Sequence, residues 1–332
     1  MVTTMIPPIS APDFLAKAGW PGAAIVPLAG DASFRRYFRV VDGGRRAVLM
    51  DAPPPHEDPR PFIAIARHLV ADGFAAPRIL ADDLDEGLVL IEDFGDHRLK
   101  EHIDAAPADE LAVYTRAVEL LAALHRRPPA DLPPYDRAVY QREVGLLTEW
   151  YCPAINLAVD EQAYIRAWNA VLPIVEQSAS PVVTVLRDYH AENIMLIDPP
   201  AAHGLGLLDF QDALAGHPAY DLVSLLQDAR RDVPPEVEAA MLAHYKALAS
   251  PPNDFDAAYA VLGAQRNAKI IGIFTRLWKR DGKPRYLSYL PRMWGLLERD
   301  LAHPALAPVA AWFDANIPAD QRHDALQEFS PA

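Results

Sequence analysis

The sequence reads VLRDYHAEN over residues 185–193 and, after an apolar stretch, LLDFQD over residues 207–212. The first stretch has an Asp-x4-Asn spacing, and an Asp-Phe pair follows sixteen residues after the Asn. Phosphoryl transfer from a nucleotide needs such a set, because one carboxylate orients and deprotonates the accepting hydroxyl while an amide and a second carboxylate hold magnesium against the phosphates. We therefore predict Asp188 as the catalytic base and Asn193 and Asp209 as the metal ligands. Asp and Asn also favour turns, but turn chemistry alone does not explain both motifs in this order.

The sequence on either side of these motifs predicts two lobes of different secondary structure. Short apolar runs separated by turn residues indicate strands at 24–28, 37–41, 47–50, 78–81 and 88–91, with one helix over 59–72. After residue 96 the hydrophobic period becomes helical, apart from a polar hairpin at 181–212, and it predicts helices over 161–178, 235–249, 254–280 and 286–301 among others. We predict an α+β chain with a small β-rich lobe at 1–93, a hinge at 94–96 and a larger helical lobe at 97–332. A ligand usually lies in the cleft between two such lobes.

Composition excludes several classes of function. The 332 residues carry 31 basic and 45 acidic side chains, and the net charge of −14 argues against nucleic acid or an anionic membrane surface as a partner. No apolar run is long enough to predict a membrane span, and the first twenty residues lack the pattern of a signal peptide. The single cysteine, Cys152, excludes an internal disulfide framework. We expect a cytoplasmic protein in a reducing compartment.

The two motifs resemble those of known kinases. Arg187-Asp188 with Asn193 and Asp209-Phe210 is similar to the catalytic and magnesium motifs of protein kinases, and the added His190 is closer to the aminoglycoside phosphotransferase and choline kinase group. The stretches GHPAYDL at 216–222 and LAALH at 121–125 also resemble that group. The resemblance implies a protein-kinase-like two-lobed fold and an enzyme that uses ATP and Mg²⁺. It also implies that Asp221 holds the catalytic loop and that backbone groups of Glu92 and Phe94 bind the adenine.

Three longer stretches resemble a narrower family. They are GDASFRRYFR at 30–39, LMDAPP at 49–54, and RNAKIIGIFTRLWKRDGKPRY at 266–286. These are similar to the bacterial anomeric kinases of N-acetylmuramate and N-acetylglucosamine in peptidoglycan recycling. That resemblance implies phosphorylation of the anomeric hydroxyl of these amino sugars, on a route towards UDP-sugars.

One part of the kinase pattern is missing. The third strand of a kinase small lobe carries a lysine that pairs with the nucleotide phosphates and with a helix glutamate. Here Met50 stands at the lysine position and the helix over 59–72 contains no Glu. Arginine suits phosphate oxygens, so a nearby arginine could supply the charge, or the chain could be a non-catalytic nucleotide-binding protein. The candidates for the phosphate side are Arg35, Arg36 and Arg39, together with Ser33.

The acceptor side is predicted from charge and aromatic residues. Residues 266–299 contain nine basic and two acidic side chains in an otherwise acidic protein, and Arg266, Lys269, Arg276 and Arg280 recur at helical spacing. This segment is either a solvated helix face or a basic wall that binds a substrate carboxylate, and a basic wall would repel a polycationic aminoglycoside. An amino alcohol or a nucleoside-like sugar stays open as another acceptor. The substrate-binding candidates are Lys269, Arg276, Glu149, Trp150 and His190, of which Trp150 could instead be a core residue and His190 a loop residue.

Overall fold

The structure, a computed structural model, describes residues 5–28, 34–197, 202–323 and 325–329. The chain forms two compact units. Unit one comprises residues 1–120 and 191–213, and unit two comprises residues 121–190 and 214–332. The two compact units do not test the predicted lobes at 1–93 and 97–332 or the hinge at 94–96, which stay predictions.

The helices and strands follow one another in this order: α1 (Ala11–Lys17), β1 (Ala24–Pro27), β2 (Arg36–Asp42), β3 (Arg45–Asp51), α2 (Arg60–Ala71), β4 (Ile79–Asp83), β5 (Leu88–Glu92), α3 (Leu99–Ala105), α4 (Glu110–Leu124), α5 (Arg137–Leu146), a π-helical turn (Leu147–Tyr151), α6 (Cys152–Ala154), α7 (Glu161–Val171), α8 (Pro173–Glu176), β6 (Val183–Val185), β7 (Ile194–Leu196), β8 (Leu205–Leu207), β9 (Leu214–Gly216), α9 (Ala219–Leu226), α10 (Pro235–Ala249), α11 (Phe255–Lys279), α12 (Leu290–Leu301) and α13 (Ala307–Asn316). Short 3₁₀ turns cover Pro107–Asp109, Ala202–Gly204, Pro284–Tyr289, Pro304–Leu306, Ala319–Gln321 and Gln327–Phe329.

Unit one is built on an antiparallel sheet with the strand order β1-β2-β3-β5-β4. Side chains alternate between its two faces. One face is apolar and packs against α1, and it includes Phe38, Leu49 and Leu90, none of which is exposed to solvent. Tyr37 lies opposite Met50 in the β2–β3 ladder, and both belong to the other face. The five predicted strands and the helix α2 are all present, and α1 is an element that the sequence reading did not predict.

The segment 181–212, predicted as one polar hairpin, supplies β6, β7 and β8, which belong to two separate antiparallel strand pairs. In unit one, Ile194 of β7 pairs with Leu207 of β8. This register brings the residue before β7 next to the residues after β8, and the N–H of Leu208 donates to the carbonyl of Asn193 at 3.0 Å. In unit two, β6 pairs with β9 over Val183–Val185 and Leu214–Gly216.

Unit two is organised around the 25-residue helix α11. It packs against α5 and the π-helical turn that follows α5. A Cβ at Gly272 would lie 2.3 Å from the backbone carbonyl of Leu146, so only glycine permits this approach of the two helices.

Two predicted helices are interrupted in unit two. The helix predicted over 161–178 is broken at Pro173, and the one predicted over 286–301 begins as a 3₁₀ turn before α12.

No helix within the described ranges combines the length and the hydropathy needed to cross a membrane.

Candidate active site

Unit one contains a cavity of about 400 Å³ on the face of the sheet that carries Tyr37. Its wall begins on the sheet, passes the end of β5 and closes on the β7–β8 hairpin. The lining residues are Leu28, Tyr37, Arg39, Val48, Phe62, Pro77, Ile91, Glu92, Asp93, Phe94, Gly95, Asp96, Arg98, Glu101, Asn193, Met195, Leu208 and Asp209. The predicted hinge residues and the predicted metal ligands therefore line one cavity.

The two predicted metal ligands are in contact at one end of this cavity. The Asn193 amide donates to Asp209 Oδ2 at 3.3 Å, and the Gln211 amide donates to Asp209 Oδ1 at 2.9 Å. Asp209 has a φ of 59°, a left-handed conformation that is uncommon for residues other than glycine and that recurs at functional sites. Within the described ranges, no group of three or more His, Cys, Asp or Glu side chains could hold a metal by itself. One carboxylate and one amide fit Mg²⁺, which usually takes its remaining ligands from substrate phosphates and water.

The other end of the cavity is formed by the residues after β5. Arg39 donates from Nε to Asp93 at 2.8 Å and from Nη2 to Asp96 at 2.8 Å, and it thereby fixes this turn. The ring of Phe94 packs on Gly206 of β8, where a Cβ would lie 2.7 Å from the ring. Glu92 and Phe94 thus line the cavity on a segment that is held from both sides.

The three candidate arginines have different partners. Arg35 Nε donates to Glu57 at 3.0 Å, whereas Arg36 Nε donates to Asp51 at 2.7 Å. Arg39 is the arginine that fixes the turn after β5. Ser33 lies outside the residues that the structure describes.

The Arg187–Asp188 segment belongs to unit two and is held through its backbone. The buried Asp221 carboxylate accepts the N–H groups of Leu186 at 2.7 Å and of Arg187 at 2.8 Å. Burial raises the pKa of Asp221 to about 7, while these two hydrogen bonds act in the opposite direction. Ser224 adds a third contact, because its hydroxyl donates to the Arg187 carbonyl at 3.0 Å. Arg187 has a φ of 69°, so the residue before the predicted base is also left-handed.

A buried carboxylate that the sequence reading missed binds the side chain of Arg187. Glu143 of α5 forms an ion pair with Arg187 and accepts from Lys269 Nζ at 2.8 Å and from the Gln265 amide at 2.9 Å. Burial alone would raise the pKa of Glu143, but the positive charges of Lys269 and Arg187 lower it to about 2. The hydroxyl of Tyr135 also donates to Glu143. No local pattern marks Glu143, because its partners lie 44 and 126 residues away in the chain.

We expect Glu143→Gln to destabilise the protein by about 3–5 kcal/mol, because it leaves the buried charges of Arg187 and Lys269 without their counterion. The measurement is urea unfolding at pH 7. The wild-type contribution should be fully present above pH 4.5, the ordinary pKa of a glutamate, and should fade only as the pH falls towards 2. A matched control is Glu86→Gln, which neutralises an exposed turn residue. Equal stabilities of the two variants would contradict the assignment.

The two basic candidates on the acceptor side both lie on α11, and they differ in their partners. Lys269 bonds to Glu143 and to the Tyr220 hydroxyl, so its charge is balanced inside the protein. Arg276 lies two turns further along α11, and its Nε is buried without a hydrogen-bond partner among the described residues. Burial and the charge of Arg280 lower the pKa of Arg276, and the charge of Glu149 on the π-helical turn acts in the opposite direction.

Three further polar groups of unit two are buried. The indole N–H of Trp150 is buried and, in the part of the chain that the structure describes, also has no acceptor. His190 is buried, and its Nε2 accepts from Arg230 at 3.0 Å, a contact that a loop-stabilising histidine makes. Arg266, placed by its spacing on the predicted basic face, is instead buried and donates to Ser224 at 3.0 Å.

Comparison with known proteins identifies the family. Residues 24–261 match the phosphotransferase enzyme family. The chain belongs to this family. Two curated relatives are N-acetylmuramate/N-acetylglucosamine kinases. The protein from Pseudomonas aeruginosa is 41% identical over 312 residues, which cover 89% of this chain and 90% of the relative. The protein from Caulobacter vibrioides is 37% identical and covers 93% of this chain and 96% of its own length.

Solved structures of lower identity show the same fold. A choline/ethanolamine kinase family protein from Mesorhizobium loti superimposes with a TM-score of 0.63 at 15% identity, over 91% of this chain and 98% of its own. The ADP-bound aminoglycoside phosphotransferase APH(2'')-Ib has a TM-score of 0.58 at 14% identity, over 87% and 94%. These structures confirm the predicted α+β, protein-kinase-like fold. The family match and the curated relatives confirm the predicted phosphotransferase superfamily and show that the protein is a kinase.

Proposed function

We propose that this kinase uses ATP and Mg²⁺ to phosphorylate the anomeric hydroxyl of N-acetylmuramate and N-acetylglucosamine, and that it serves cell-wall recycling towards UDP-sugars. The observation that carries the proposal is the Asp188, Asn193 and Asp209 set in a chain that is 41% identical, almost from end to end, to a kinase named for these sugars.

The nucleotide side of the proposal rests on the cavity of unit one. Backbone groups of Glu92 and Phe94 would bind the adenine at one end, and Asn193 and Asp209 would hold magnesium at the other. Bound there, magnesium would neutralise charge on the phosphates as the bond to the leaving group breaks. The contact between Asn193 and Asp209 supports this role, because it already brings the amide and the carboxylate together.

The acceptor side of the proposal assigns proton removal to Asp188. An anomeric hydroxyl is more acidic than an ordinary alcohol, so a carboxylate is an adequate base for it. The backbone of the preceding residue is fixed by Asp221 and its side chain by Glu143, and such support keeps a base in a reactive position. Most of the acceleration would come from this positioning and from charge neutralisation at the phosphates.

We expect Arg276→Gln to reduce kcat/KM for N-acetylmuramate about tenfold more than for N-acetylglucosamine. Only the first sugar carries a lactyl carboxylate, and the buried Nε of Arg276, which has no acceptor among the described residues, is a donor suited to it. The measurement is steady-state kinetics with both sugars. Lys279→Gln, which removes an exposed charge from the same helix, is the control. Equal losses on both sugars would contradict this role of Arg276.

Magnesium-dependent release of ADP with a panel of acceptors tests the proposed function. The panel contains N-acetylmuramate, N-acetylglucosamine, glucose, choline and kanamycin. Turnover confined to the two N-acetylated sugars is the expected result. Turnover with choline or kanamycin alone would preserve the kinase assignment and contradict the sugar assignment.

A further inference from the structure

The position that carries the lysine in a kinase small lobe is occupied here by a buried apolar residue. Met50 of β3 is fully buried, and it lies opposite Tyr37 of β2 in the ladder. Directly opposed residues of an antiparallel pair share a face, and so do residues two apart on one strand. Arg35 immediately precedes β2, two residues before Tyr37, so extending the alternation of the strand by one residue assigns it to the same face as Met50. Within a regular ladder a diagonal neighbour lies about 7–8 Å away, which is within reach of a long side chain.

Arg35 has the acidic partner that a phosphate-binding lysine has in other kinases. Its Nε donates to Glu57 at 3.0 Å, and the two side chains are only 12% and 15% exposed. Glu57 lies three residues before the start of α2 rather than within the helix, so the pair does not require a glutamate in α2. The guanidinium has five N–H donors in a planar fork, and its Nε–H is the one that bonds to Glu57.

The ion pair is electrostatically coupled to residues at the metal end of the cavity. Tyr37 and Asp209 both line the cavity. Burial raises the pKa of Tyr37 to about 12, the positive charge of Arg35 opposes this shift, and the negative charge of Asp209 adds to it. Burial lowers the pKa of Arg35, but the interactions with Tyr37 and Glu57 raise it above its ordinary value. The charge of Asp212, three residues after Asp209, acts on Arg35 in the same direction.

We propose that Arg35 supplies the phosphate-binding charge that the missing lysine would supply, and that Glu57 is the positioning residue that orients it. The proposal rests on the proposed function in one respect, namely that the phosphate donor is ATP. The two neighbouring arginines are committed elsewhere, since Arg36 bonds to Asp51 on β3 and Arg39 fixes the turn after β5. In this family member the Lys–Glu pair is thus replaced by an Arg–Glu pair, with the arginine directly before β2 and the glutamate in the loop before α2.

The test compares the affinities for ATP and for adenosine, measured by calorimetry with Mg²⁺ present and no sugar added. Arg35→Ala should weaken ATP binding about 10- to 100-fold and leave adenosine binding unchanged, because adenosine has no phosphate for the guanidinium to contact. Arg35→Lys should lose less than Arg35→Ala, since it keeps the charge. Glu57→Gln, which preserves shape, should weaken ATP binding severalfold with the same selectivity. Arg60→Ala removes an exposed arginine that lies two residues after its partner Asp58, and it is the control for net charge.

The outcomes separate the possible accounts. Selective loss of ATP affinity in Arg35→Ala and Glu57→Gln, with Arg60→Ala unchanged, supports the proposal. Equal loss of ATP and adenosine affinity would overturn it, because the pair would then only maintain the fold. A selective loss confined to Arg36→Ala or Arg39→Ala would also overturn it and assign the charge to that arginine. Because no sugar is present, an error in the acceptor would leave these results unchanged, whereas wild-type protein that binds adenosine but not ATP would contradict the proposed function itself.

Discussion

Asp188→Asn should bind ATP as tightly as the wild-type protein and turn over about 10²–10⁴-fold more slowly with either N-acetylated sugar. The amide cannot accept the proton of the anomeric hydroxyl, but it has the shape of the carboxylate and keeps the loop intact. Asp221 and Glu143 continue to hold the preceding residue in the variant. The measurement is kcat from ADP release, with the ATP affinity determined separately by calorimetry.

A matched control for this variant is Asp131→Asn, which neutralises an exposed loop carboxylate in the same unit and should keep full activity. Near-normal turnover by Asp188→Asn would show that another group accepts the proton. An equal loss of ATP affinity would show that Asp188 serves nucleotide binding instead.

The second large effect is expected at Asp209. We expect Asp209→Asn to lower kcat/KM by about 10²–10³-fold, because the magnesium that we propose Asp209 to hold would contribute several kcal/mol of charge stabilisation. The specific signature is the loss of the magnesium effect on nucleotide affinity. Wild-type protein should bind ADP more tightly with Mg²⁺ than with EDTA, and the variant should bind it equally under both conditions.

Asp85→Asn, a change in an exposed turn of unit one, is the control for Asp209→Asn. It should retain the magnesium effect in full. If Asp209→Asn also retained that effect, the metal would be held elsewhere, and the contact between Asn193 and Asp209 would have a purely structural role.

The sequence predicts the small sheet well because its signals are local. Each strand is a short apolar or alternating run bounded by turn residues, and α2 has both boundary signals in place. Asp58 accepts the N–H of Arg60 at 3.0 Å at its start, and Gly73 adopts a φ of 88° after its end. The interrupted helices show the limit of such signals. A helical period continues across Pro173 in the sequence, although the proline divides the segment in the structure.

The candidate site residues show the same contrast between local and distant signals. The proposed base and metal ligands lie in short motifs with a fixed spacing, as Asp188 and Asn193 do. Glu57 and Glu143 lie in no motif, and each is defined by a partner that is distant in the chain. The charge pattern of α11 predicts the surroundings of its basic side chains poorly. Helical spacing assigns Arg266, Lys269 and Arg276 to one basic face, whereas Arg266 is buried and Lys269 donates to Glu143.

The most direct test of the central claim is the position of the transferred phosphate. N-acetylglucosamine and its methyl glycoside differ only in the anomeric hydroxyl, which is blocked in the glycoside. We expect the free sugar to yield an acid-labile anomeric phosphate by phosphorus NMR and the glycoside to release no ADP above background. Phosphorylation of the glycoside at any other hydroxyl would contradict the account, because Asp188 would then be activating an ordinary alcohol.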